Sequence, residues 1–159
     1  AAAVPSEEGN DFPEDAARID WESVSLWQPD WKVVAPEFEG TPRKLIDFEG
    51  RKNVLQLHPF PLQPERRPAR LIRTLTVPAD GEPTLTFECA SHALGDWDLV
   101  VQINGEIVQK TVIAPADQRW HQQSVPLSRW RGQTIEISLE NHASAWLYEF
   151  SYWAELTLR

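Results

Sequence analysis

The sequence predicts an all-β protein, specifically an antiparallel β-sandwich. Three observations carry this prediction. From residue 44 onward, short apolar runs are broken by turn residues about every 8–12 positions, which is typical of sandwiches and barrels. Two of these runs alternate strictly between apolar and polar residues. Between two further runs stands Asn104-Gly105, a pair that suits the positive φ angles of a two-residue hairpin turn.

The predicted strands follow one another along the chain to its last residues. They cover residues 44–48, 53–58, 71–77, 83–90, 97–103, 106–113, 120–126, 134–140 and 145–158. The clearest alternations are TLTFECA and TIEISLE, where every second side chain is expected to face the interior. The expected inward residues are Leu85, Phe87, Cys89, Ile135, Ile137 and Leu139. No segment shows helical periodicity beyond about one turn.

Two of the predicted strands form a hairpin, and its turn fixes the register of the pairing. A two-residue turn at Asn104-Gly105 sets Val101 opposite Val108. Both faces of this hairpin carry apolar residues, so both are expected to be at least partly covered.

The last predicted strand contains WLYEFSYWAEL, in which five of eleven residues are aromatic. Strand parity assigns Trp146, Tyr148, Phe150 and Tyr152 to the core, because no charged residue shares their face. Trp153 falls on the opposite face, so it is either covered by the N-terminal segment or exposed as a binding platform.

The length of 159 residues suits one domain preceded by an arm. Residues 1–20 are acidic and poor in large apolar residues, which predicts a flexible arm or linker, and residues 21–159 are expected to form one sandwich domain. At the start of the domain, Trp21, Trp27 and Trp31 are expected to hold an irregular segment against the sandwich.

Charge and cysteine content narrow the function classes. The net charge is −9, and residues 1–50 hold 12 acidic and 4 basic side chains, so the rest of the chain is nearly neutral. No basic stripe of the kind that nucleic acid requires is present. No apolar run approaches the roughly 18 residues needed to span a bilayer, so no membrane insertion is expected. The lone Cys89 is expected to be a small buried hydrophobe.

Loop positions predict a candidate site. If successive connections alternate between the two ends of the sandwich, the loops 91–96, 114–119 and 141–145 share one end. Carboxylates, amides and imidazoles beside indoles are typical of oriented small-molecule sites, and sugars are bound in this way. The candidate ligand-binding residues at this end are Trp97, Trp120, Asp96, Asp117, His92, His121, Asn141 and His142.

Simpler explanations exist for the same residues. Trp97 and Trp120 open strands, where an indole often closes the end of a core, and loop residues are polar in any protein. The histidines at this end lack the short spacing of known zinc motifs, so the metal content stays open. Asp96 and Asp98 stand two apart on one strand rather than facing each other across a substrate, and no nucleophile motif is present. An enzyme is therefore not expected.

Several motifs, taken in order, resemble a known family. They include GDWDLVVQINGE, which fits D-W-x-L-x-V-x-x-N-G, and VPLSRWRGQTIEISL, which fits V-x-L-S-x-x-x-G-x-x-I-x-I-x-L. This part of the chain, about residues 50–158, resembles the galactose-binding-domain-like jelly rolls, which include carbohydrate-binding modules and accessory domains of large exported bacterial proteins.

The resemblance implies a non-catalytic, exported module that binds a polysaccharide or glycan weakly through a loop end. The alternative is a structural or docking domain that contacts other domains of a larger exported protein and has no small-molecule ligand. No cofactor is expected. The resemblance implies a structural calcium near the early strands, where Asp47 and Glu49 are candidates, although no oxygen-rich loop is evident there.

Overall fold

Two five-stranded antiparallel sheets face each other, which confirms the predicted sandwich. The structure is a computed structural model that describes residues 18–60, 67–115, 119–144 and 148–159. In these ranges the elements are helix α1 (Trp21–Trp27), β1 (Lys32–Val34), β2 (Arg43–Phe48), β3 (Arg51–Leu57), β4 (Ala69–Thr76), β5 (Thr84–Ser91), β6 (Trp97–Ile103), β7 (Glu106–Ile113), β8 (His121–Pro126), a 3-10 turn (Ser128–Trp130), β9 (Thr134–His142) and β10 (Ser151–Leu158).

The first sheet has the strand order β1-β4-β9-β6-β7 and the second has the order β2-β3-β10-β5-β8. The inward residues predicted for β5 and β9 are all buried in the core between the sheets. Cys89 is among them, and burial raises the pKa of its thiol well above the ordinary value. The thiol is therefore protonated and packs as a small hydrophobe, as expected from the sequence.

The N-terminal segment is held against the sandwich by Trp27 and Trp31, as predicted, but its first part is helical and not irregular. Residues Trp21–Trp27 form a helix whose first turn is capped by Asp20, because its carboxylate accepts a hydrogen bond from the Ser23 amide at 3.0 Å. The helix contacts β1, β2 and β3, and so closes the open side of the sandwich between the edge strands β1 and β2. Trp27 is buried in the core, whereas Trp21 stays on the surface.

The predicted arm cannot be followed, because residues 1–17 lie outside the described residues. Within the ranges that the structure describes, no helix has both the length and the apolar character needed to cross a membrane.

The β6–β7 hairpin forms at Asn104-Gly105, and both residues have positive φ angles, of 52° and 82°. Its predicted register is correct only near the turn. Beyond Gln102 a bulge shifts the pairing, so that Val101 lies opposite Gln109 instead of Val108. One extra residue on β7 is enough to produce this change.

The parity predicted for the last strand is wrong over the first residues of β10, and the core position predicted for Trp146 lies outside the described residues. Trp153 is fully buried in the core between the sheets, and Tyr152 faces the other side of its sheet. The cause is a bulge between Ala154 and Thr157, where Glu155 has a φ of 56°. The extra residue reverses the alternation of side chains along the strand. Before the bulge an odd-numbered residue, Trp153, faces the core, and after it an even-numbered residue, Leu158, does so.

The β2–β3 hairpin curls over the outer face of the second sheet. β3 stops pairing with β10 at Leu55, so the tip of the hairpin leaves the sheet. Although β2 and β8 are opposite edges, the Glu49 carbonyl accepts a hydrogen bond from the Trp120 indole, just before β8, at 2.9 Å. Phe48 stacks on Tyr152 with ring centroids 4.0 Å apart. The hairpin therefore covers part of this face with a second apolar cluster.

Candidate functional site

The loops predicted to share one end of the sandwich do meet there. The Ser144 hydroxyl, after β9, donates a hydrogen bond to the Asp96 carboxylate, before β6. The Arg119 guanidinium, before β8, donates to the carbonyl of Ser91 at the end of β5, at 3.0 Å. We call this surface the loop end. Antiparallel pairing places the ends of β5, β7 and β9 on the same side, which is why reasoning from topology located it.

Among the described residues of the loop end, the most exposed ring belongs to Tyr148, which precedes β10. Its ring stacks on the His92 imidazole with centroids 4.6 Å apart and planes inclined by 25°, and Tyr148 is 40% exposed. The imidazole is held in place because its Nδ1 accepts a hydrogen bond from the Leu94 amide at 3.0 Å. The sequence assigned Tyr148 to the core, so this residue was missed.

Tyr148 adopts a conformation that few bulky residues adopt. Its φ is 59°, in the left-handed region, where a residue with a large side chain is strained. Its carbonyl lies against Gly95, and a Cβ atom at Gly95 would stand 2.2 Å from that oxygen. A side chain at position 95 would therefore displace Tyr148, so the glycine is needed to bring the two loops together.

Two of the predicted ligand-binding residues are inside the protein. Trp97 is fully buried, its indole donates to the Ala90 carbonyl at 3.1 Å, and its ring packs 5.2 Å from that of Trp153. Asn141 is also fully buried and donates to the Ser151 hydroxyl at 2.8 Å. Neither presents surface at the loop end. The indole at the start of β6 closes the core, which is the simpler of the two explanations drawn from the sequence.

The remaining predicted residues are dispersed. Trp120 is half-buried against the β2–β3 hairpin, with its ring edge-on to Phe48. The His121 imidazole contacts the Ala114 carbonyl. Asp117 lies outside the described residues. Among the described members of the predicted set, His92 stacks on the exposed tyrosine ring, and Asp96 follows Gly95, which lies against the Tyr148 backbone. The binding role of the set stays a prediction.

His142 belongs to a polar network on the outer face of the first sheet. Its Nε2 lies 2.7 Å from the carboxylate of Glu140, a residue with only 3% of its surface exposed. That carboxylate also accepts hydrogen bonds from Ser138 at 2.7 Å and from Gln102 at 3.2 Å, and Arg70 stands 3.5 Å away. Burial raises the pKa of Glu140, but the hydrogen bonds from its neighbours outweigh this, so the pKa lies below its ordinary value.

The described residues include no group of three or more His, Cys, Asp or Glu side chains placed to hold a metal ion. The calcium candidates are engaged with basic side chains: Asp47 pairs with Lys52 at 2.6 Å, and Glu49 stands 3.7 Å from Arg119. Calcium binding therefore stays an expectation from the resemblance.

Solved structures that share this jelly-roll fold include carbohydrate-binding modules and an adhesin domain. The chain is similar to the K3 cleaved adhesin domain of Lys-gingipain from Porphyromonas gingivalis, with a TM-score of 0.54 and 13% identity over 82% of this chain and 91% of that one. It is similar to the CBM22-1 xylan-binding domain of Paenibacillus barcinonensis Xyn10C, with a TM-score of 0.52 and 15% identity over 83% and 86% of the two chains.

A third similar structure holds the CBM51-2 and INT domains of Clostridium perfringens ZmpB, with a TM-score of 0.55 and 13% identity over 84% of this chain and 30% of that one. At these identities the likeness establishes the fold, and it confirms the resemblance to accessory-domain jelly rolls. No protein-family model matches the chain. No curated protein matches it either.

Proposed function

We propose that this protein is a non-catalytic, exported module that binds a carbohydrate weakly at the loop end. The observation that carries the proposal is the exposed Tyr148 ring, which is stacked on His92. The Tyr148 backbone lies against Gly95, and the next residue, Asp96, accepts the Ser144 hydroxyl. An aromatic face can pack against the C–H face of a sugar ring, while carboxylate and hydroxyl groups bind its hydroxyl groups.

The geometry supplies both kinds of contact. The imidazole stacks on one face of the tyrosine ring, and in the proposed complex the opposite face packs on the sugar. Asp96 is half-buried, and one of its oxygens accepts the Ser144 hydroxyl. Within the described residues its second oxygen has no hydrogen-bond partner, so it can accept from a sugar hydroxyl.

Weak affinity is expected because the surface is small. One exposed ring and one carboxylate bury much less area than an extended cleft, and a bound sugar also loses conformational freedom. The similarity to a xylan-binding domain supports a carbohydrate ligand, and the similarity to an adhesin domain supports a non-catalytic role.

The test is a glycan-array screen followed by affinity electrophoresis with the polysaccharides that bind. We expect Tyr148→Ala to weaken binding about tenfold or more, equivalent to about 1.4 kcal/mol, because the stacking face is lost. Tyr148→Phe keeps the ring and should retain most of the affinity. Trp21→Ala removes a comparably exposed ring from helix α1, which contributes no residue to the candidate site, and should change nothing.

Two outcomes would overturn the proposal. One is that no polysaccharide retards the protein at concentrations where millimolar binding is visible. The other is that Tyr148→Ala and Trp21→Ala bind equally well.

A docking role inside a larger exported protein is the second candidate function. Leu26 on α1 and Ile46 on β2 are 61% and 78% exposed, and these two elements contact each other. Large apolar side chains on this side could be buried by an adjacent domain. In the parent protein, an adjacent domain that covers this side should raise the melting temperature of the module. The double variant Leu26→Ser and Ile46→Ser should reduce this increase and leave glycan binding unchanged.

A further inference from the structure

The outer face of the second sheet carries a groove of about 430 Å³ that is separate from the loop end. Its floor is formed by outward side chains of β5, β8 and β10, and one wall is the tip of the β2–β3 hairpin. The groove lies toward the opposite end of the strands from Tyr148, because Thr86 and Thr157 pair near the start of β5 and the end of β10. The polar lining residues are Arg51, Thr86, Glu88, Gln122, Glu155, Thr157 and Arg159.

Two irregular features of the fold create this groove. The hairpin tip places Arg51 over the sheet, where its guanidinium makes a two-point contact with Glu88, with Nε and one NH2 nitrogen each bonded to a different carboxylate oxygen. The bulge in β10 reverses which side chains face outward, and Glu155, which lies in the bulge, is part of the groove lining. Bulges often re-aim side chains in this way beside functional surfaces.

The charges of the lining cancel. Two carboxylates, Glu88 and Glu155, stand with two guanidinium groups, Arg51 and Arg159, so the side chains of the groove carry no net formal charge. A polyanion or a polycation would gain little Coulomb energy there and would lose its hydration. The ligand that fits is neutral and dense in hydroxyl groups, because it can donate to the carboxylates and accept from the guanidinium groups.

The lining is also held in place before any ligand arrives. The two-point contact fixes the planes of Arg51 and Glu88, and the Arg51 guanidinium stands 5.6 Å from the centre of the Trp120 ring. Gln122 is exposed, and its side-chain amide makes no hydrogen bond with the described residues, so this amide is free for a ligand. A volume of about 430 Å³ is within the range of small-ligand sites.

We propose that this groove is a second binding site, for a neutral oligosaccharide, that works independently of the loop end. The groove does not include Tyr148, so the result of the loop-end test neither supports nor contradicts the groove proposal. A module with two such surfaces can contact two chains of one polysaccharide, or two parts of one chain, and gain affinity through effective concentration.

The experiment is a titration of the ¹⁵N-labelled intact chain followed by two-dimensional NMR. The probes are xylohexaose and cellohexaose as neutral ligands, hexagalacturonate as an anionic one and chitosan hexamer as a cationic one. We expect a neutral probe to shift the amides of Thr86, Glu88 and Gln122 and the indole of Trp120. Gln122→Ala combined with Thr157→Ala should weaken these shifts about fivefold or more, because two exposed hydrogen-bonding side chains are removed.

Matched variants separate the two sites. Gln133→Ala removes another exposed amide, from the loop that precedes β9 in the first sheet and lines no part of the groove, and should leave groove binding intact. Tyr148→Ala should leave the groove shifts intact and remove only shifts at the loop end. The proposal fails if neither neutral probe shifts the groove amides, if a charged probe binds there more tightly than both neutral ones, or if the double variant titrates like Gln133→Ala.

Discussion

The two outer faces of the sandwich differ in how far their polar side chains are hydrogen-bonded within the protein. On the first sheet, the carboxylate of Glu140 is buried and surrounded by Ser138, Gln102, His142 and Arg70. On the second sheet, Arg51 and Glu88 bond to each other, but the groove leaves the side chains of Gln122, Glu155 and Arg159 exposed to solvent. The first face has used its hydrogen-bonding capacity within the protein, whereas the second has capacity left for a ligand.

This difference shows that polar character alone does not identify a binding surface. A satisfied network stabilises the fold and offers nothing to a ligand, because any new contact must first break an existing one. An open, charge-balanced groove contributes little to stability, because exposed ion pairs are screened by water. Substitutions on the first face should therefore lower the free energy of unfolding more than substitutions on the second.

The largest effect is expected for Glu140→Ala on the first face. Removing the carboxylate leaves several buried or half-buried donors without an acceptor, which should lower the free energy of unfolding by about 2–3 kcal/mol. Urea denaturation measures this. Glu136→Ala, on the same face of β9 but exposed, is the control and should cost less than about 0.5 kcal/mol. Equal costs for the two variants would mean that the network is not the stabilising feature of this face.

A smaller effect is expected for Phe48→Ala on the second face. Phe48 stacks on Tyr152 and is half-buried, so its loss should cost about 2 kcal/mol, less than for a fully buried ring. Amide hydrogens at the hairpin tip should then exchange faster than those of β5, because the tip is held to the sheet by this cluster. Ile46→Ala, in the same hairpin and exposed, should change neither quantity. Unchanged protection at the tip in Phe48→Ala would contradict the covering role of the cluster.

The smallest effect is expected for the pH dependence of the stabilisation that Glu140 contributes. The pKa of Glu140 in the folded protein lies below its ordinary value of 4.5, so the unfolded chain takes up this proton first as the pH falls. The stabilisation from Glu140 is therefore complete above the unfolded value and is lost as the pH falls through the folded one. The difference in unfolding free energy between the wild type and Glu140→Gln should shrink from about pH 6 to about pH 3. A difference that stays constant over this interval would show that the carboxylate is not stabilised by its neighbours.

Most of the architecture could be predicted from local sequence patterns. The alternation around Cys89 and Ile137 and the turn at Asn104-Gly105 each act over a few residues, and the structure follows them. The helix at Trp21–Trp27 was missed although Asp20 is a typical capping residue, because seven residues are too few to show a period. The bulges near Gln102 and Glu155 were missed because a strand with one extra residue keeps the same composition.

The candidate site was less predictable, because it depends on contacts between distant segments. Topology correctly brought His92 and Asp96 to one end, since antiparallel strands alternate their connections. It could not show that Trp97 turns into the core, or that Tyr148 leaves it. The groove depends on the hairpin curling across its own sheet, which joins Arg51 to Glu88, 37 positions apart in the chain, and no local pattern encodes that contact.

The bulge at Glu155 also affects how related chains should be compared with this one. Upstream of it, odd-numbered residues face the core, and downstream the even-numbered ones do, as Trp153 and Leu158 show. A relative with a straight strand would match both halves only if position 155 were treated as an insertion. Ungapped alignment would pair core residues of one chain with surface residues of the other, and would make conserved packing look like divergence.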